Sequence, residues 1–139
     1  MKSIHAWMVS VAVLGLSSEA DAQTRQRSTV IPGELRLAGG RRTPEAVRAM
    51  MVRIHARVHL CYDTALRANN RLGGSLNVQF VIDPNGVVSS ANAGPRTTIQ
   101  DAAMVSCVLG TFSALRFPET PNASTMVTYS LRFVPVLAR

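Results

Sequence analysis

The segment that decides the fold is Thr43–Arg67, TPEAVRAMMVRIHARVHLCYDTALR. Thr43 suits a helix N-cap, and Pro44 suits the first helical position, where its missing N–H costs nothing. Apolar residues then recur at steps of four and three, which places them on one helix face: Val47, Met51, Ile54, Val58, Cys61 and Ala65. The pattern predicts a long helix packed on the sheet of its own domain, with a partner-binding face as the alternative.

A hairpin is predicted after this helix. Ser75–Ile82 alternates apolar and polar residues, which is typical of a half-buried strand. The sequence Asp83-Pro84-Asn85-Gly86 then indicates a turn with a bulge. The returning strand, Val87–Ala93, is rich in Ser, Ala and Asn, so we expect it at a sheet edge.

A second helix and a last strand complete the predicted domain. Thr97 or Thr98 is expected to cap the second helix, which contains Cys107. Thr125–Val134 alternates again and reads as a strand. The order helix, strand, strand, helix, strand predicts an α+β domain in which the helices pack on a small sheet.

The first 22 residues have the pattern of a secretory signal peptide. Lys2 provides a positive start, and Ala6–Leu16 is an apolar run too short to span a bilayer comfortably. Ala20-Asp21-Ala22 forms an A-x-A cleavage site. We therefore predict export to the periplasm with a mature start at Gln23, and an uncleaved inner-membrane anchor is the alternative.

The rest of the chain divides where its composition changes. Residues 23–42 are polar, rich in Arg and interrupted by Pro-Gly and Gly-Gly pairs, which indicates a flexible lead with a short strand at Glu34–Leu37. Residues 43–135 hold the predicted domain, and residues 136–139 form a tail.

The mature chain would be strongly basic. Without residues 1–22 it has 14 basic residues, all Arg, and six acidic residues, for a net charge of +8. Such a charge favours anionic lipid heads, anionic surface polymers or an acidic protein patch as partners. We expect no nucleic-acid partner, because the chain is predicted to be exported and its arginines are not interleaved with exposed aromatic residues.

Cys61 and Cys107 are the two cysteines of the chain. An even number of cysteines in an oxidising compartment favours a disulfide. Both fall on apolar helix faces, which permits them to meet. A pair of buried free thiols is the alternative, and a redox site is not indicated because the chain has no C-x-x-C motif.

No catalytic residue, metal or cofactor is predicted. His55 and His59 lie four residues apart on the helix, but the sequence offers no third metal ligand near them. A Cys–His nucleophile is not indicated either, because His59 is two residues from Cys61 and therefore points elsewhere on a helix. The carboxylates are scattered, and we expect a protein that is not an enzyme.

An ordered set of short motifs across residues 43–134 carries a family resemblance. The set comprises Cys61-Tyr62 with Ala65-Leu66, Gly74–Ile82, Asp83 with Gly86-Val87-Val88, Cys107-Val108, Phe117-Pro118 and Val127–Phe133. It resembles the TonB-like C-terminal domains, in the disulfide-bearing myxobacterial type called the AgmX/PglI C-terminal domain. Leu115 departs from the family pattern, which usually has an aromatic residue there.

The resemblance implies an α+β fold with two helices on one face of a three-stranded antiparallel sheet. It also implies a protein-binding role in the cell envelope, as an accessory of gliding motility or transport. Its last strand would offer an edge to an extended peptide of an envelope partner, such as an outer-membrane receptor or a motility component. The implied partner-binding residues are Thr125, Met126, Val127, Thr128, Tyr129, Ser130, Leu131, Arg132 and Phe133. The alternative is a basic envelope-associated structural protein that binds anionic surface polymers or lipid heads, and a homodimer is open in either case.

Overall fold

The computed structural model describes residues 28–136, which form six elements. In chain order they are β1 (Thr29–Ala38), α1 (Pro44–Ala68), β2 (Gly74–Ile82), β3 (Val88–Ala93), α2 (Ala102–Ser113) and β4 (Thr125–Val134). The strands form one antiparallel sheet in the order β1-β4-β2-β3. The predicted α+β class is confirmed, whereas the prediction of three strands is wrong because β1 is a fourth. The predicted signal peptide and most of the predicted tail lie outside the described residues.

Helix α1 begins and packs as its sequence predicts. The Thr43 side chain accepts a hydrogen bond from the Ala46 backbone N–H at 3.2 Å, and Pro44 occupies the first turn. The residues buried on α1 are those of the predicted stripe up to Cys61, joined by its neighbour Tyr62. The stripe therefore belongs to the core of the domain.

Both helices cover the same face of the sheet. Tyr62 of α1 makes an edge-on contact with Phe133 of β4, with ring centroids 5.0 Å apart. Phe112 of α2 contacts Phe80 of β2 at 5.5 Å and Tyr129 of β4 at 6.1 Å. Because alternate residues of a strand share a face, these contacts place α1 and α2 in one layer.

The predicted hairpin between β2 and β3 is present. The Asp83 backbone N–H donates to the Val87 carbonyl at 2.8 Å, and the Val87 N–H donates to Asp83 Oδ1 at 2.9 Å. Gly86 adopts a φ of +86°, which favours glycine. β3 is short and lies at the sheet edge, as its polar composition indicates.

The predicted cap of α2 is wrong. The residue that caps this helix is Asp101, whose Oδ1 accepts from the Met104 N–H at 2.9 Å. The hydroxyls of Thr97 and Thr98 accept instead from the N–H groups of β2 beyond the point where β3 ends, at 3.1 and 2.8 Å respectively. Their side chains extend the hydrogen bonding of β2 and are therefore not available to cap a helix.

Strand β1 is longer than the predicted short strand at Glu34–Leu37. It pairs with β4 over its whole length, with a shift of register between Pro32 and Leu35. Pro32 lies opposite Leu131 and Leu35 opposite Tyr129, so β1 contains one residue more than β4 across this interval. Such a bulge reverses the alternation of side chains, which hides the strand from a search for period-two patterns.

Candidate functional site

β4 is an internal strand of the sheet. On one side it pairs with β2 in an unbroken register that runs from Thr125 opposite Ile82 to Phe133 opposite Gly74. On its other side it pairs with β1. The expectation that the last strand presents an open edge therefore does not hold in this conformation. The reason is that β1, which the sequence analysis places in a mostly flexible lead, pairs along this side of β4.

The nine candidate binding residues divide between the two faces of β4. Those that face the helices are buried: Thr125, Val127, Tyr129, Leu131 and Phe133. Those on the opposite face are partly or largely exposed: Met126, Thr128, Ser130 and Arg132. A peptide that bound by backbone pairing would therefore replace β1, whereas a ligand on the open face would contact only the second group.

The open face of β4 is polar at its centre. The Ser130 hydroxyl donates to Asn77 Oδ1 of β2 at 3.1 Å. A shallow depression of about 190 Å³ lies beside this pair and is lined on opposite sides by Arg36 of β1 and Arg96 of the loop after β3. Arg36 is held by an ion pair to Glu34 at 2.6 Å, with both side chains largely exposed. Exposed pairs of this kind contribute little to stability.

On the helix side, β1 is packed incompletely. Val30 is its only side chain buried to the level of the core among residues 29–38. A groove of about 540 Å³ lies between β1 and α1 and is lined by Val30, Pro32, Met51, His55 and other residues. Tyr129 of β4 also lines the groove, where burial raises the pKa of its hydroxyl while nearby Arg48 acts to lower it. The region of β1 around the bulge therefore lacks a close-packed partner on α1.

The start of β1 is attached to α1 by polar contacts that the sequence did not predict. Ser28 is buried, its hydroxyl donates to Asp63 Oδ1, and it lies 2.8 Å from His59 Nε2. The set Ser, His and Asp has the composition of a hydrolase triad. However, the aspartate approaches the same imidazole nitrogen as the serine, at 3.7 Å, whereas a triad needs it on the other nitrogen. The cluster therefore fastens a strand to a helix.

His55 and His59 do not assemble a metal site with their neighbours. Their ring centroids are 6.4 Å apart in an edge-on arrangement. Across residues 28–136, no group of three His, Cys, Asp or Glu side chains is placed to hold a metal ion. The contact with Ser28 gives His59 a role in positioning the start of β1. Ser28 and His59 are 31 residues apart, so no local signal in the sequence indicates this contact.

The connection from β1 to α1 turns through Gly39 and Gly40, both with positive φ. Arg42 follows them, donates to the Asp83 carbonyl at 3.4 Å and lies 5.5 Å from the ring centroid of Phe117. Burial lowers the pKa of Arg42, while the charge of Asp83 opposes this change. The chain therefore leaves β1 through two glycines and is held again at Arg42.

The predicted pairing of Cys61 with Cys107 is confirmed. The two residues form a disulfide between α1 and α2, with their Cα atoms 5.8 Å apart. Cys61 is buried, whereas Cys107 is exposed, so only one of the two occupies a core position as expected. The bond fixes the helical layer that supports β2 and β4.

The Tyr62 side chain fixes the end of α1. Its hydroxyl donates to the Leu72 carbonyl at 2.6 Å inside the core. Burial raises the pKa of Tyr62 to about 12, and the nearby charge of Asp63 acts in the same direction.

Between residues 28 and 136 no helix combines the length and hydropathy needed to cross a membrane.

Comparisons with known proteins leave the family unassigned. No protein-family model, no curated protein and no solved structure matches the chain. The resemblance to TonB-like C-terminal domains therefore stays a prediction from the motifs.

Proposed function

We propose that this chain is a non-enzymatic binding module of the cell envelope, exported to the periplasm, that captures an extended peptide of an envelope protein. The peptide would add to β4 as a new strand, in the place that β1 occupies in the structure. In strand addition, backbone hydrogen bonds supply affinity and pockets for alternate side chains supply specificity.

The observation that carries the proposal is the difference between the two sides of β4. The register with β2 is continuous, whereas the register with β1 is broken by the bulge between Pro32 and Leu35. A bulge leaves one residue out of the ladder. An unbroken peptide would therefore make better pairing with β4 than β1 does.

The other sheet edges are poorer templates. The outer side of β1 carries Pro32 and the bulge, and both features are known to protect an edge from further pairing. The outer side of β3 belongs to a strand of six residues, rich in polar side chains. β4 is ten residues long and evenly alternating, and it provides a continuous row of buried side chains for a partner strand to extend.

Replacement of β1 is favoured because, apart from its backbone ladder with β4, it has few attachments to the rest of the domain. Ser28 fixes one end through His59 and Asp63, Val30 is buried beside it, and the other end leads into Gly39 and Gly40. The groove between β1 and α1 means that less packing is lost when this strand leaves than when β2 leaves. A displaced β1 would swing on the two glycines.

The proposal is tested by locking β1 onto β4. Ile31 and Arg132 face each other in the ladder, and opposite residues of antiparallel strands lie within disulfide range. The variant Ile31→Cys/Arg132→Cys is oxidised to form the lock, and the control is the same variant alkylated before oxidation. This control needs no reductant, so the native disulfide stays intact.

The probe is a labelled peptide with the sequence of residues 28–38, together with a second peptide that lacks Gly33 and therefore has no extra residue at the bulge. Because the peptide of residues 28–38 pairs no better than the tethered β1, we expect it to bind the alkylated control only weakly. The shorter peptide should bind this control more tightly, and neither peptide should bind the oxidised variant. Equal binding to locked and unlocked protein would place the peptide elsewhere and refute addition at β4. Fluorescence anisotropy measures both affinities.

A further inference from the structure

The outer side of the helical layer contains a continuous groove between α1 and α2. One part, of about 310 Å³, is lined by Arg53, Arg57 and Arg116 around a floor that includes Ile54 and Leu115. A second part, of about 520 Å³, continues along the two helices toward Ala68 and Asp101. Arg57 and Thr111 line both parts, so the two are joined.

The two parts differ in chemistry. The first is basic, and within residues 28–136 none of its three arginines has a carboxylate within 4.0 Å, since the ion pairs there are Arg36 with Glu34 and His59 with Asp63. The second part is lined mainly by apolar side chains and by the disulfide: Leu60, Ala65, Ala68, Ala103, Met104, Cys61 and Cys107. Leu60 is 62% exposed there.

At the basic end of the groove, two arginines repel each other, and a bound anion would offset this repulsion. Arg53 and Arg57 are four residues apart on α1, and like charges at this spacing destabilise a helix. Arg116 is held in place because its guanidinium donates to the carbonyls of Ser113 and Leu115, at 3.3 and 2.9 Å. Guanidinium groups bind phosphate oxygens in strong, charge-assisted hydrogen bonds.

We infer that this groove binds an anionic phospholipid, with the phosphate at Arg53, Arg57 and Arg116 and one acyl chain along the apolar part toward Ala68. The stretch of α1 from Met50 to Ala68 is about 27 Å long at the rise of an α-helix. One leaflet of a bilayer is about 20–22 Å thick with its headgroups, so the groove is long enough for the headgroup and one acyl chain of a lipid. The inference does not depend on strand addition, because the groove lies on the helices and β4 does not line it.

The first test uses a short-chain, monomeric lipid so that binding to one site is measured. Dihexanoyl-phosphatidylglycerol is titrated by calorimetry, with dihexanoyl-phosphatidylcholine and glycerol phosphate as the other probes. We expect the anionic lipid to bind more tightly than either, because it alone carries both a net negative head and chains. Glycerol phosphate that binds as tightly as the lipid would overturn the inference, since the apolar part of the groove would then contribute nothing.

The second test separates the arginine site from general attraction to a basic protein. The variant Arg53→Gln/Arg57→Gln/Arg116→Gln is compared with Arg41→Gln/Arg67→Gln/Arg71→Gln, which loses the same charge from exposed positions outside the groove. We expect the first to weaken lipid binding by about tenfold or more and the second by much less. Equal losses would refute the site. The double variant Arg53→Gln/Arg57→Gln repeats the test without altering the end of α2.

The apolar part has its own matched pair. Leu60 and Val52 are both exposed apolar residues of α1, at 62% and 71%, but only Leu60 lines this groove. Leu60→Gln should weaken binding of the anionic lipid severalfold, whereas Val52→Gln should leave it within twofold. An unchanged affinity in Leu60→Gln would show that the chain lies elsewhere and would overturn the inference.

Discussion

Reduction of the Cys61–Cys107 disulfide should destabilise the domain by about 4 kcal/mol. The bond joins residues separated by 46 positions. For a closed loop of that size, the chain-entropy model gives a loss of unfolded-state entropy worth about 4 kcal/mol at 25 °C. Because a domain of this size has a total stability of about 5–15 kcal/mol, the bond accounts for a large part of it.

Reduction is a cleaner perturbation than substitution. It retains both sulfur atoms, whereas replacement of the buried Cys61 by alanine would add the cost of a cavity. Urea unfolding, followed by circular dichroism, is measured for the oxidised protein and for the protein in a non-thiol reductant. We expect a lower midpoint after reduction, together with a larger m-value, because the unlinked chain exposes more surface when it unfolds.

The variant Cys61→Ala/Cys107→Ala, which has no disulfide, controls for effects of the reductant itself and should be insensitive to it. In thermal unfolding, a loss of about 4 kcal/mol corresponds to a fall in Tm of about 15 °C or more for a domain of this size. If reduction changed the free energy of unfolding by less than about 1 kcal/mol and left m unchanged, the bond would not be constraining the unfolded chain. The chain-entropy reasoning would then be refuted.

Three further predictions concern single positions. Replacement of Tyr62 by Phe should cost about 1–3 kcal/mol in urea unfolding, because a buried carbonyl loses its hydrogen-bond donor. In the wild type, burial raises the pKa of Tyr62 from 10.0 to about 12, so the stabilisation that comes from this shift is complete below pH 10 and is lost as the pH rises from 10 toward about 12. The stability of the Phe variant should not show this loss. Asp101→Ala should lower the free energy of unfolding by about 1 kcal/mol and speed amide exchange at the start of α2, because the helix loses its N-cap. Thr97→Ala should instead speed exchange in β2 and leave α2 protected. Gly86→Ala should destabilise by more than about 1 kcal/mol in urea unfolding, because φ is +86° there and an added Cβ would overlap a backbone carbonyl; a neutral result would contradict the turn geometry.

Features determined by neighbours in the chain were predictable from the sequence. Helix α1 has its cap, its first-turn proline and its stripe within one segment, and the structure reproduces all three. The turn at Asp83–Gly86 is equally local. The pairing of Cys61 with Cys107 could be predicted because the chain contains no other cysteine and export was inferred independently.

Features determined by distant residues were not predictable in the same way. The threonines before α2 satisfy a capping rule, but their hydroxyls accept from β2, so Asp101 takes the cap. Strand β1 has weak local signals, because the bulge after Pro32 shifts its apolar residues from one alternation to the other. Ser28 acquires a role only when the fold brings it to His59 and Asp63.

The position of β1 determines what a partner of β4 must be. A peptide that adds to an open edge competes only with water, whereas a peptide that replaces β1 competes with a strand tethered through Gly39 and Gly40 at an effective concentration in the millimolar range. Such a partner needs better pairing than β1 offers. It should therefore be an unbroken, alternating segment without proline, about as long as β4, with its apolar residues on the side of Val127 and Tyr129. Peptides that keep a Pro-Gly step in the centre should bind no better than β1 itself, and this selectivity distinguishes replacement of β1 from unspecific pairing at an edge.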